Sequence, residues 1–247
     1  MKICVLLCVI VISTHTTTAA AQAKTVWSGI YSAEQAARGE QEYTKNCSRC
    51  HGANLQGTDG NGLQGKDFME RWREDSMGSL WEFVSESIPP ARGGGRPLIS
   101  VPSYLDILAY ILSQNQFPAG PNPLSNEGLD DIMIQYKDGP RSLPNGALVW
   151  VGGCLTGSGN SWSLTESHDP VRTRSSDTKN YQEFHAAETQ GAGSQNYRLA
   201  NLGFLGNAFK PESHAGEKIL VKGNLVRQED SMRISVLAVR KVADTCK

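Results

Sequence analysis

The chain has 247 residues, 39% of them hydrophobic, and a formal net charge of −1. That length suits one large domain or two small ones, with enough apolar side chains for a core. The 25 glycines and 11 prolines exclude a helical rod. With 9 basic and 11 acidic residues over 24–120, and 14 of each over 121–247, neither half has the basic excess of a nucleic-acid-binding surface.

Residues 1–23 read as a secretory signal peptide. Lys2 precedes an apolar run over residues 3–12, and small residues around Ala19, Ala21 and Ala23 fit an A-x-A cleavage pattern. The run falls short of the roughly 20 residues that span a bilayer, which leaves an uncleaved anchor as the alternative. No later stretch is suited to crossing a membrane, so the expected location is periplasmic or secreted. Cleavage removes Cys4 and Cys8 and leaves Cys47, Cys50, Cys154 and Cys246. Disulfides persist outside the cytoplasm. The simplest partition is one local pair with its own chemistry and one long-range disulfide, Cys154 to Cys246.

The local pair lies in Cys47-Ser48-Arg49-Cys50-His51. C-x-x-C-H is the attachment signature of c-type haem: the two thiols add to the vinyl groups, and the histidine becomes the proximal iron ligand. Three other readings compete. A thioredoxin-like pair belongs in a βαβ context, and none is apparent. A zinc ribbon needs a second C-x-x-C, which is absent. A Cys47–Cys50 disulfide leaves His51 without a purpose.

The flanks predict three helices. Before the motif, Ser32 can cap a helix and Gln35 can close a capping box, with Gly39 and Tyr43 on one face. After a glycine-rich loop over 54–65, in which Leu63 is placed to face the haem, residues 76–88 form a second helix with Leu80, Phe83 and Val84 inward. Residues 103–115 form a third, with Leu105, Leu108, Ile111 and Leu112 as its stripe. A compact all-α haem-binding unit is expected.

Residues 31–120 resemble a class I c-type cytochrome domain, through "ARGEQEYTKNCSRCHGANLQG", "FMERW", "LWEFVSESIPP" and "YLDILAYILSQNQFPAG". The resemblance implies one covalent haem c per chain and a redox partner protein. It also implies Gly39 and Tyr43 packing near Tyr110, and Trp72 near a haem propionate. The departure is Ile88, which stands where such domains place a methionine ligand before proline. Met69 and Met77 precede that position and Met133 lies far beyond it. His168, His185 and His214 reach the iron only if the second half folds over it. Without a thioether ligand the potential falls and a coordination position can open. Arg92 and Arg96 are the polar side chains closest to Ile88 in sequence that could serve peroxide chemistry there.

Residues 121–146 are rich in turn formers and read as a linker. From 147 to 247 the pattern is strand-like: "ALVWVGGCL", "SWSLTE", "YRLANLG", "KILVKGNLV" and "MRISVLAV". Five short strands suggest a small all-β barrel or sandwich, OB-like by strand count alone. No G-x-S-x-G elbow occurs, "GAGSQN" follows no strand, and His168–Asp169 reads as a solvated turn. The expected function is an exported haem c electron carrier rather than an enzyme, exchanging electrons with a dehydrogenase or another cytochrome. The alternative is a small-ligand-binding or peroxidatic haem protein with an open distal iron position.

Overall fold

A computed structural model of the chain describes residues 24–87, 99–228 and 231–246. The expected signal peptide at 1–23, and Ile88, Arg92 and Arg96, lie outside the described residues. In chain order the elements are β1 (Lys24–Thr25), α1 (Ala33–Asn46), α2 (Ser48–His51), α3 (Gly65–Trp72), β2 (Asp75–Ser76), α4 (Met77–Ser87), α5 (Val101–Gln114), β3 (Ile132–Ile134), β4 (Leu148–Ser158), β5 (Ser161–Ser167), β6 (Val171–Arg172), α6 (Tyr181–Thr189), β7 (Gln195–Ala200), β8 (Lys218–Gln228) and β9 (Ser231–Ala243). A helical unit is thus followed by a β-rich region. Among the described residues no helix is long and apolar enough to cross a membrane.

The three expected helices are α1, α4 and α5; α3 was not anticipated. Ser32 caps α1, its hydroxyl accepting from the Gln35 backbone N–H at 3.2 Å. The capping box is not closed. The Gln35 side chain instead donates to the Leu124 carbonyl at 3.1 Å and accepts from the Leu124 N–H at 2.7 Å. Both partners are buried, so this double bond satisfies two main-chain groups that water does not reach.

Helix α1 crosses α5 in backbone contact. At Gly39 a Cβ would collide with the Asp106 carbonyl oxygen and the Tyr110 side chain. One turn further on, the Tyr43 ring packs on Tyr110 with centroids 5.3 Å apart, as the resemblance implied. Arg38 grips Asp106 through two hydrogen bonds of 3.0 and 2.9 Å across the same crossing. Residues 105–112 of α5 are all buried, which makes it the central helix of this unit.

The linker expected at 121–146 is corrected by the structure. Its Leu124, Leu129, Ile132 and Ile134 are buried in the helical unit's core. Strand β3 sits in a three-stranded sheet, parallel to β1 and antiparallel to β2. With Leu143, buried in the core of the β-rich region, the segment carries five buried apolar side chains between its turn residues, and burying them outweighs the flexibility its composition suggests.

All five expected strands are present as β4, β5, β7, β8 and β9. Pairings run β5-β7-β9-β8-β4, with β6 added at β4, and β4 pairs again with β5, so the ladder returns to its start. Every pairing is antiparallel except β7 with β9. Ile219, Val221 and Leu225 of β8 point into a core with Val149, Leu164, Tyr197 and Ile234. The other face of the sheet is covered by α6, where Ala187 packs on Trp150 and Leu220. That cover explains a fully buried lysine: Lys222 pairs with Glu183 of α6 and donates to the Ser175 carbonyl at 3.0 Å. The predicted Cys154–Cys246 disulfide is formed, joining β4 to the stretch after β9 across 92 residues.

The crossing at Gly39 sets the first prediction. Gly39→Val inserts three carbons where backbone already stands, and should cost at least 1–3 kcal/mol, the usual range (~2 kcal/mol) for overpacking. Urea denaturation measures it; a midpoint within error of the parent would contradict the close crossing.

Candidate cofactor site

Helix α1 ends at Asn46, and Cys47 joins it to the single turn of α2. The turn is closed by the Cys50 and His51 N–H groups, which donate to the Cys47 carbonyl at 3.1 and 3.0 Å. Helical spacing then puts Cys47, Cys50 and His51 on one side, at i, i+3 and i+4. The loop that follows folds back beneath them. Gly60 N–H and the Thr58 hydroxyl both donate to the Cys50 carbonyl at 2.7 Å. Asn115, just past α5, holds the loop's far end: it accepts from Gly65 N–H at 2.8 Å and donates to the Leu63 carbonyl at 2.9 Å.

His51 Nδ1 lies 2.7 Å from the Asn61 carbonyl oxygen. A carbonyl only accepts, so Nδ1 carries the proton and Nε2 keeps its lone pair for a metal. Gly60 stands behind the ring, where a Cβ would come within 2.8 Å of Cε1. Burial, then the neighbouring Cys50 and Glu42 charges, push the Cys47 thiol up to about 11. It is therefore protonated at neutral pH. Cys50 is exposed, and neither cysteine is bridged.

These groups face a cavity of about 320 Å³. Its walls are Leu63 from the loop, Phe68 and Trp72 from α3, Leu80, Phe83 and Val84 from α4, and Ile99, Tyr104, Ile107 and Ile111 from the α5 side. All five candidate residues, Cys47, Cys50, His51, Leu63 and Trp72, thus border one space. An apolar slot with two free thiols and one imidazole lone pair fits a flat macrocycle bound by two thioethers and an axial nitrogen.

Met69 and Met77 do not line this cavity. Both are buried in the surrounding core. Met133 lies in β3, outside the cavity. His168 bonds the Gly191 carbonyl, His185 stacks on Tyr181, and His214 stacks on Phe209 and bonds Glu217. None of the three lines the cavity. Sequence reading missed the Asn61 carbonyl and Arg71, which borders the cavity from α3. A main-chain acceptor leaves no mark in the residue type, and Arg71 lies on α3, a short helix that the sequence reading did not anticipate.

The family model described as Cytochrome c matches residues 36–115. Those residues are similar to a cytochrome c domain. The group such a domain carries is covalently attached haem c, and the cavity beside Cys47, Cys50 and His51 has the chemistry to hold it. The match runs from α1 to just past α5 and leaves the β-rich region outside. Comparison with curated proteins and with solved structures gave no match.

Replacing both thiols, Cys47→Ser with Cys50→Ser, should remove all pigment that survives acid–acetone extraction. Retention of covalent pigment in that double variant would place the attachment elsewhere.

Proposed function

We propose that this is an exported electron-transfer protein whose haem is joined to Cys47 and Cys50, with His51 as the proximal iron ligand. Its partner would be a dehydrogenase or another cytochrome. The observation that carries the reading is the geometry of the cavity mouth: the walls are apolar, yet Cys50 is exposed at its rim. A haem held there would supply the one-electron couple close to the surface at Cys50. The chain's residues do the rest. Cys47 and Cys50 would hold the group covalently, the Asn61 carbonyl holds the His51 imidazole in the tautomer that presents Nε2, and the apolar walls would exclude water.

Export is supported by the Lys2 and apolar pattern at residues 1–23 and by the Cys154–Cys246 disulfide, which suits an oxidising compartment. The β-rich region reads as an OB-like barrel, because its strand ladder returns from β5 to β4 with one parallel pair, β7 and β9. We assign it a docking or scaffolding role, not nucleic-acid binding, since it has no basic excess.

A second reading rests on a separate observation. Met69 and Met77 are packed in the core, and the sequence from 88 to 98 contains no Met, His or Cys. An iron with His51 as its sole side-chain ligand could bind a small molecule or peroxide on the open face. Electron transfer remains the primary assignment, since it needs only the exposed edge.

Both readings predict a ferrous protein that binds carbon monoxide readily, and a ferric protein without the sulfur-to-iron charge-transfer band. Met77→Leu should leave the visible spectrum unchanged and cost less than ~1.5 kcal/mol in packing. A sulfur band that disappears in Met77→Leu would instead identify Met77 as the sixth ligand.

A further inference from the structure

We propose that the β-rich region completes the haem site: Arg172 and Arg174 join Arg71 in a cationic cluster that receives the two haem propionates. The inference rests on the haem c reading above.

Among the described residues lining the cavity, Arg71 is the only arginine, and no lysine lines it. Its guanidinium lies 5.1 Å from the Phe83 ring centroid and 5.9 Å from that of Trp72, two of the cavity's aromatic walls. From the β-rich region, Arg174 stacks on Trp72 at 4.0 Å. Arg172 and Arg174 both donate to the Arg71 carbonyl, at 2.9 and 2.7 Å. Arg172 also reaches the Glu70 carbonyl at 3.3 Å. These are last-turn carbonyls of α3, which have no partner within the helix. Three guanidinium side chains therefore gather where α3 ends at Trp72.

Their charge is only partly compensated. Asp75 pairs with Arg174 at 2.5 Å. Asp67 and Glu70 border the adjoining groove without an ion pair to the cluster, and the Glu74 carboxylate accepts from the Arg141 backbone. The Arg172 Nε is buried without a hydrogen-bond partner. Burial and then the Arg174 charge push the Arg172 guanidinium down to about 10, and the same two causes lower Arg71. Asp59 borders the cavity, and Glu82, Glu86 and Glu183 border the groove beside Arg172 and Arg174, which line the grooves next to the cavity and not the cavity itself. Among the described residues Asp75 is the one carboxylate in an ion pair with the three guanidinium groups, so the two carboxylates of one haem would give Arg71 and Arg172 ion-pair partners. Two of these cations come from residues beyond the matched domain, so the haem would be held by both parts of the chain.

The test is the midpoint potential of the full-length, haem-loaded protein by spectroelectrochemistry. Arg174→Gln and Asp75→Asn break the same ion pair but remove charges of opposite sign. Ferric haem carries one more positive charge than ferrous, so losing a nearby cation favours the ferric state. Arg174→Gln should lower the ferrous-to-ferric ratio at fixed poise about tenfold, or 59 mV for a one-electron couple. That is the size expected for a unit charge roughly 10 Å away at an effective dielectric of about 20. Asp75→Asn should raise the ratio. Arg172→Gln, which breaks no ion pair, should lower it, and Arg172→Lys should restore it. Shifts of the same sign in Arg174→Gln and Asp75→Asn would show a purely structural seam and overturn the proposal, as would unchanged potentials. A parent protein without covalent haem would overturn the haem reading itself.

Discussion

The backbone contact between α1 and α5 at Gly39 is the constraint on which the cofactor site depends. With no side chain at 39, the Asp106 carbonyl can lie against α1, and the Arg38–Asp106 pair holds that approach. Helix α1 then delivers Cys47, Cys50 and His51 from its end, while Ile107 and Ile111 of α5 form the facing wall. Tyr43 serves both sides, with its ring on Tyr110 and its hydroxyl donating to the Gly52 carbonyl at 2.7 Å. A wider crossing would pull the motif away from the wall that completes the cavity.

The second organising feature is the end of α3. A short helix there would normally leave its last carbonyls to water. Here Arg172 and Arg174 bond them, and Arg174 also covers Trp72, a wall of the cavity. Arg73 reaches the Ser142 carbonyl at 2.7 Å along the same seam. The β-rich region is therefore fastened to residues 70–75, close to the cavity. Separating the two parts would expose Trp72 and strip the helix end of its caps, which couples the position of the β-rich region to the environment of the cavity.

How much of this could be read from the sequence follows from the range of each interaction. The C-x-x-C-H motif was legible because its chemistry is fixed by spacing within one helical turn. Helices α1, α4 and α5 announced themselves by periodicity, and β8 and β9 by alternation. The Cys154–Cys246 bridge followed from counting cysteines once the motif's pair was set aside. Gln35 was misread because its partner, Leu124, lies 89 residues away. Residues 121–146 were misread because turn formers separate Leu124, Leu129, Ile132 and Ile134, so no period marks their burial. Arg174 gave no signal at all; its role depends on Trp72 and Asp75 in another part of the fold. Ile88 lies outside the described residues, while Met69 and Met77 are buried away from the cavity.

If His51 is the only side chain of this protein bound to the iron, the oxidised protein at neutral pH should give a predominantly high-spin signal in low-temperature electron paramagnetic resonance. A wholly low-spin signal would mean that a second strong-field ligand from the chain occupies the iron, and would contradict the site described here.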